Sequence, residues 1–583
     1  MKRLERFHSR CRPKRKMFSW FSLQENHTPR SFNGRKNCVT ALALTLLLGF
    51  ASSLCAQVTD KQLEQSPDSD WLHYNGGYSS QRHSGLDQIK LSNVGSLVSK
   101  WVYHVPGGGG LQSVPIVVDG VMYITQPNEV YALDSRSGRL IWQYHHILAK
   151  APDREGPNRG VAVFEDKVYF TTTDSFLIAL NAASGNVLWQ SKIAEASEGY
   201  HSSAAPLVAK GKVMVGVIYG DRGLNGFLVA FDARTGERLW QFDSIPKPGE
   251  PGSESWAGDS WKHAGGATWL TGSYDPELNL LYWAIGNPSP DFNGDVRQGD
   301  NLYTDSMVAL DLDTGKMKWH FQFTPHDVMD WDGAEIPVLV DAPFEGKMRK
   351  LLVQADRNGF YYVLDRVTGQ FLHGSKLARQ VNWATGLTAQ GRPILVPGIE
   401  PSLKGTKVCP SSTGATNWMS PTYNPQTGLF YFVALEGCGL ATKNTEKFRP
   451  GGFQYRAGGD VLLKDDTWKV YVRALELTTG KLVWEQERVG SGSLGGGLLS
   501  TAGGVIFSGE LNGEFVALNA RTGQPVWHFN TGQPINSQPM TYMVDGKQYV
   551  GLTASSDVFS FALFEPEKTV AKCTVGGRES RHF

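Results

Sequence analysis

Net charge is what this sequence has least of. Its 583 residues carry 57 Lys and Arg against 56 Asp and Glu. No surplus of either sign exists to hold a polyanion, so neither nucleic acid nor an anionic membrane surface is an expected partner. The chain also lacks any Cys-x-x-Cys-His run, which excludes a covalently attached haem of its own. Beyond one apolar stretch near the N-terminus there is no second run of membrane length. Helix-period segments with proper caps are scarce, which argues against a helical fold.

The one apolar stretch has the layout of an export signal. A basic segment, "MKRLERFHSRCRPKRK", precedes "VTALALTLLLGFASSLCA", which runs from Val39 to a small residue at Ala56. The basic part is long, and Met17 is an alternative start. Two other readings stay open: an uncleaved anchor, and a lipoprotein at Cys55, for which Leu54 is a poor preceding residue. The small-residue criterion favours cleavage. The expected layout is therefore a leader over 1–56, a folded unit over 57–565 and a polar tail over 566–583. Of six cysteines, Cys11, Cys38 and Cys55 leave with the leader. In an oxidising compartment Cys409 and Cys438 are expected to pair, with Cys573 left over; three free thiols are the alternative.

What is abundant is Gly, with 65 copies, and Trp, with 17. Both recur in register. "ALDSRSGRLIW" from Ala132 is followed by "ALNAASGNVLW" from Ala179, "AFDARTGERLW" from Ala230 and "ALDLDTGKMKW" from Ala309. "VLDRVTGQFLH" from Val363, "ALELTTGKLVW" from Ala474 and "ALNARTGQPVW" from Ala517 complete the series. Each reads as a strand end, a Ser/Thr-Gly turn with an Asp or Asn cap, and a second strand ending in Trp. Another strand pair precedes most copies, so the unit has four strands, and radial repetition of such units is a propeller. Seven copies are clear; an eighth blade is expected from "LVSKWVYHV" near the start and "QYVGLTASSDVFSFAL" near the end. The fold class is thus all-β, an eight-bladed β-propeller. Two intervals, after the third and fifth copies, are long enough to carry function.

One loop concentrates acid. "TPHDVMDWDG" places Asp327, Asp330 and Asp332 within six positions, a repulsive arrangement unless a cation or proton offsets it. With "GNPSP", "ADRNGFYYVLDR", "NRG", the Trp repeats and the Cys409/Cys438 spacing, it resembles the quinoprotein alcohol dehydrogenases, which use pyrroloquinoline quinone (PQQ). The resemblance covers about residues 70 to 565. It implies Asp330 as catalytic base and Arg357 as the arginine facing the reactive quinone oxygen. Asp221, Asn287, Asp330 and Asp332 are implied as ligands of Ca2+ or a lanthanide, Asp332 being the extra carboxylate of the lanthanide branch. Trp269 matches the indole under the quinone; Gln112, Arg159, Ser203 and Asn417 fall at or near its polar contacts. The oxygen-only donor set suits a hard cation on its own chemistry. An extended 330–332 segment would aim both Asp side chains to one side, while Asp327 and His326 would shape the loop. The resemblance further implies a small alcohol or aldehyde as substrate, a separate cytochrome c as electron acceptor and a periplasmic location; it allows a homodimer.

The sequence also departs from that pattern. "PDREGPNRG" has Asp153 and Arg154 where the family's adjacent cysteines would stand. A Trp expected before "STAGG" is missing around Gly495, and Tyr219 replaces a small residue near Asp221. All three changes cluster round the cofactor, so a cofactor-free propeller scaffold is the competing class. A sugar-oxidising relative is a third reading, disfavoured because its usual membrane spans are not visible.

Overall fold

The computed structural model describes residues 58–149, 156–333, 335–451, 453–464, 468–490 and 494–565. The leader, the tail, Cys573 and the Asp153–Arg154 pair lie outside them. Among the described residues there is one α-helix, Asp60–Gln65, and no helix long and apolar enough to cross a membrane.

The repeat builds the fold by local chemistry. Strand Glu129–Asp134 pairs antiparallel with Leu140–His145, setting Ala132 opposite Trp142. Between them Asp134 Oδ1 accepts from the main-chain N–H of Arg136 at 3.0 Å and Ser137 at 3.1 Å. Gly138 closes the turn at φ +71°. A Cβ there would also stand 2.5 Å from the Trp101 ring of the neighbouring sheet, so backbone conformation and packing both require glycine.

That contact recurs from sheet to sheet. Added Cβ atoms on Gly185, Gly236, Gly315, Gly369 and Gly523 would strike Trp142, Trp189, Trp240, Trp319 and Trp484 in turn. The indole N–H of Trp101, Trp142, Trp240 and Trp484 donates to Ser135, Ala182, Leu312 and Ala520 carbonyls at 2.9–3.0 Å. Where the fifth copy ends in His373, the ring Nε2 meets Thr479 O at 2.8 Å. The repeat tryptophans therefore dock each sheet onto its neighbour.

Most sheets are four-stranded and antiparallel, as in Ile116–Val118, Val121–Gln126, Glu129–Asp134 and Leu140–His145. The expected composite of both chain ends forms: Leu97–His104 pairs with Asp557–Leu563, which continues into Lys547–Ala554 and Met540–Val544. Trp527 of the last repeat donates to Leu97 O at 3.2 Å, returning the docking series to the sheet where it began. The interval after the fifth copy folds into a sheet of its own, Thr406–Val408, Cys438–Lys443 and Gly458–Leu463, fastened by a Cys409–Cys438 disulfide. The interval after the third copy contains the short turns Ser253–Ser255 and Ser260–His263.

Candidate active site

The acidic loop is ordered by its first carboxylate. Asp327 accepts from the N–H of Met329 at 2.8 Å and of Trp331 at 2.9 Å. His326 Nδ1 meets Gly299 O at 2.7 Å, and Trp331 Nε1 donates to Ser411 O at 3.0 Å. Asp327 and His326 therefore shape the loop, as expected. The expectation of an extended 330–332 segment is corrected: Asp330 and Asp332 have φ of +59° and +47°. Aspartate tolerates this left-handed region, and Gly333 lets the loop press onto the Asp305 backbone, where a Cβ would stand 2.5 Å from Asp305 C.

Asp332 is saturated with donors. Its Oδ1 accepts from Asn287 N at 3.0 Å and Trp269 Nε1 at 3.3 Å, while its Oδ2 is ion-paired with Arg357 Nη1. Arg357 Nη2 reaches Ser412 O at 2.5 Å. Gly286 makes room for this knot, since a Cβ there would lie 2.4 Å from Asp332 Oδ1. Asp330, Asp332, Asn287, Arg357 and Trp269 are thus brought to one place from four distant stretches of chain.

Asp330 belongs to a second, more open group. Asp221, Asp291 and Asp330 each offer a carboxylate oxygen within 4.8 Å of the others; Asp332 lies outside that set. Asn287 turns Nδ2 toward Asp291 Oδ1 at 3.2 Å. Burial, then the charges of Asp221 and Asp291, push the Asp330 carboxyl well above the usual range, against the pull of Arg357 and Arg456. Asp221 sits on the tight turn Gly220–Arg222, whose Arg222 guanidinium lies 3.7 Å over the Tyr219 ring. Tyr219 in turn packs edge-on against His201 at 5.0 Å.

Beside this lies a platform. The Arg159 guanidinium is 5.1 Å from the Trp269 ring and 5.0 Å from that of Trp418, and Nη1 donates to Ser203 Oγ at 2.7 Å. Burial pulls the Arg159 pKa down to about 10. Asn417 spends its amide on its own loop, donating to Thr413 O at 2.9 Å and accepting from Trp418 N at 2.9 Å. Arg159 Nε and Gln112 Oε1 are buried without a hydrogen-bond partner. Orphaned donors and acceptors of this kind fit a polar, multi-acid cofactor. The oxygen-only set of Asp221, Asp291 and Asp330 fits a hard cation. Gly495, where a Trp was expected, has φ +72° and packs against Gly509 O, a Cβ there standing 3.0 Å from it.

Three contributors escaped the sequence reading. Asp291 lies four residues after Asn287 and was legible as a further carboxylate of "GNPSPD". Trp418 follows Asn417 directly. Arg456 carries no local signal, because it comes from the insertion sheet, 126 residues after Asp330.

Residues 71–376 and 485–550 match the family described as PQQ glucose/ethanol/alcohol dehydrogenase, beta-propeller domain. The quinoprotein alcohol dehydrogenase PedH of Pseudomonas putida is 38% identical over 88% of this chain and 91% of its own length. The quinohemoprotein alcohol dehydrogenase of Comamonas testosteroni is 37% identical over 83% of this chain and 72% of its own. A solved europium-containing methanol dehydrogenase superposes with a TM-score of 0.80 at 31% identity, covering 86% of this chain and 99% of the other. The protein belongs to the PQQ-dependent quinoprotein alcohol dehydrogenase family.

Proposed function

We propose that the protein oxidises a small primary alcohol or aldehyde in the periplasm, using PQQ with Ca2+ or a lanthanide, and passes electrons to a separate cytochrome c. The propeller is proposed to have eight blades within residues 57–565. Export rests on the basic-then-apolar leader ending at Ala56. The carrying observation is the convergence of Asp330, Arg357 and Trp269 beside buried polar atoms that lack protein partners.

Bound PQQ with its cation supplies an electrophilic hydride acceptor, polarised by the metal as a Lewis acid. The chain supplies the rest. Asp330, partly buried and raised in pKa by burial and by its acidic neighbours, takes the alcohol proton at a carboxylate oxygen. Arg357, fixed by Asp332 and Ser412, would supply a guanidinium to stabilise negative charge on the bound cofactor's oxygen. Trp269 and Trp418 form the aromatic walls, and Arg159 with Ser203 binds carboxylate oxygen. Asp221, Asn287, Asp291 and Asp330 are the residues that would hold the cation.

The test is reduction of an artificial dye by purified protein given PQQ, Ca2+ or La3+, and a series of alcohols. Alcohol-dependent reduction with PQQ retained, seen by absorbance, is expected. No retained PQQ and no turnover with any alcohol or ion overturns the reading.

A further inference from the structure

The acidic group already contains a cation from the protein itself. Arg456 Nε donates to Asp291 Oδ2 at 2.6 Å and Nη2 to Asp330 Oδ2 at 2.5 Å. Its guanidinium lies 5.1 Å from the Phe292 ring. The backbone around it is tied to the same loops: Phe292 N donates to Arg456 O at 2.9 Å, and Tyr455 N to Asp221 O at 2.6 Å. Ser289 Oγ donates to Tyr455 O at 2.9 Å. An arginine so fastened is a fixed charge and not a mobile surface group.

Asp291 is fully buried, and a buried carboxylate needs a partner. Arg456 is that partner, and it takes a share of Asp330 as well. On the other side of Asp330, the charge of Asp332 is met by Arg357. Asp291 and Asp330 therefore share Arg456, and Asp332 is paired with Arg357, so fixed guanidinium groups already offset part of this acidic charge before any ion enters.

We infer that Arg456 is a resident counter-ion that biases this cation site toward divalent and against trivalent ions. The inference rests on the proposed function's reading of the carboxylates as a cation site. A fixed positive charge repels an entering ion in proportion to that ion's charge, so its removal favours La3+ more than Ca2+. Asp332 alone would have suggested the opposite preference, but its oxygens are committed to Arg357, Trp269 and Asn287.

The test is calorimetric titration of Ca2+ and La3+ into the chelator-stripped full chain without PQQ, comparing wild type, Arg456→Gln and Asp291→Asn. Arg456→Gln is expected to tighten Ca2+ about tenfold and La3+ about thirtyfold, since the effect on log affinity scales with ion charge. Asp291→Asn is expected to weaken both, La3+ more. Arg456→Met, a second neutral replacement, is expected to shift the two ions as Arg456→Gln does, so if one of the two fails to fold the other decides. Equal shifts for the two ions, a larger shift for Ca2+, or no binding in wild type that Arg456→Gln does not restore overturns the inference. Dye reduction is read separately. Turnover with an unmoved ion preference keeps the proposed function and rejects the role of Arg456; a moved preference without turnover does the reverse.

Discussion

Trp269 donates its indole N–H to Asp332 Oδ1 at 3.3 Å, and the other oxygen of the same carboxylate holds Arg357. One side chain thus sets both the aromatic wall and the guanidinium of the site. Asp332→Ala strips a buried arginine of its counter-ion, a change that costs about 3–5 kcal/mol. Thermal or denaturant unfolding of the variant is expected to show that loss, and dye-linked turnover to fall at least about a hundredfold.

Asp330→Asn is expected to separate activity from stability. Removing the proton acceptor lowers turnover by about 10²–10⁴-fold. The same change relieves repulsion with Asp221 and Asp291, which stand within 4.8 Å, and leaves Arg456 its bond to Asp291. Unfolding midpoints equal to or above wild type, alongside lost turnover, are the expected pair of results.

Acid sensitivity has a source far from the site. His73 is buried, its Nε2 2.9 Å from Leu63 O, and burial lowers its pKa to about 4. A depressed histidine stabilises the fold fully above its unfolded pKa of about 6.5, and that contribution is lost as pH falls toward 4. By pH 5 the loss is about 2 kcal/mol. Denaturant unfolding at pH 7 and pH 5 measures it, and His73→Gln is expected to flatten the slope.

The disulfide between Cys409 and Cys438 closes a loop of sequence separation 29. In the chain-entropy model its removal costs about 3–4 kcal/mol. Cys409→Ser with Cys438→Ser is expected to lower stability by that order and to loosen the insertion sheet, read as faster proteolysis between 406 and 463.

Much of the scaffold was legible because the repeat is written in residues with local jobs. Asp134 caps its own turn and Gly138 must be glycine twice over, so the sequence announces each hairpin and its docking partner. The composite sheet of both chain ends was legible for the same reason: every other repeat has its four strands nearby. The identities of Asp330, Asp332, Arg357 and Trp269 followed from motif resemblance, and the structure gathers them. Their geometry did not follow. Asp332 accepts from Asn287 and Trp269 and pairs with Arg357, contacts that spacing cannot reveal. Asp330 and Asp332 sit in left-handed backbone that a strand reading excludes. Arg456 was invisible because its role depends on how an insertion folds back across 126 positions.

The pairing of Leu97–His104 with Asp557–Leu563 has a consequence for how the molecule is made. Leu97–His104 must wait, with an open hydrogen-bonding edge, until Asp557–Leu563 has emerged. Closure is therefore a late, long-range event with a high loop-entropy barrier, and until it happens the waiting edge is a site for mispairing between nascent chains. Once formed, the pairing ties Leu97–His104 to a strand far along the chain, so the two can part only by giving up a full strand-to-strand ladder.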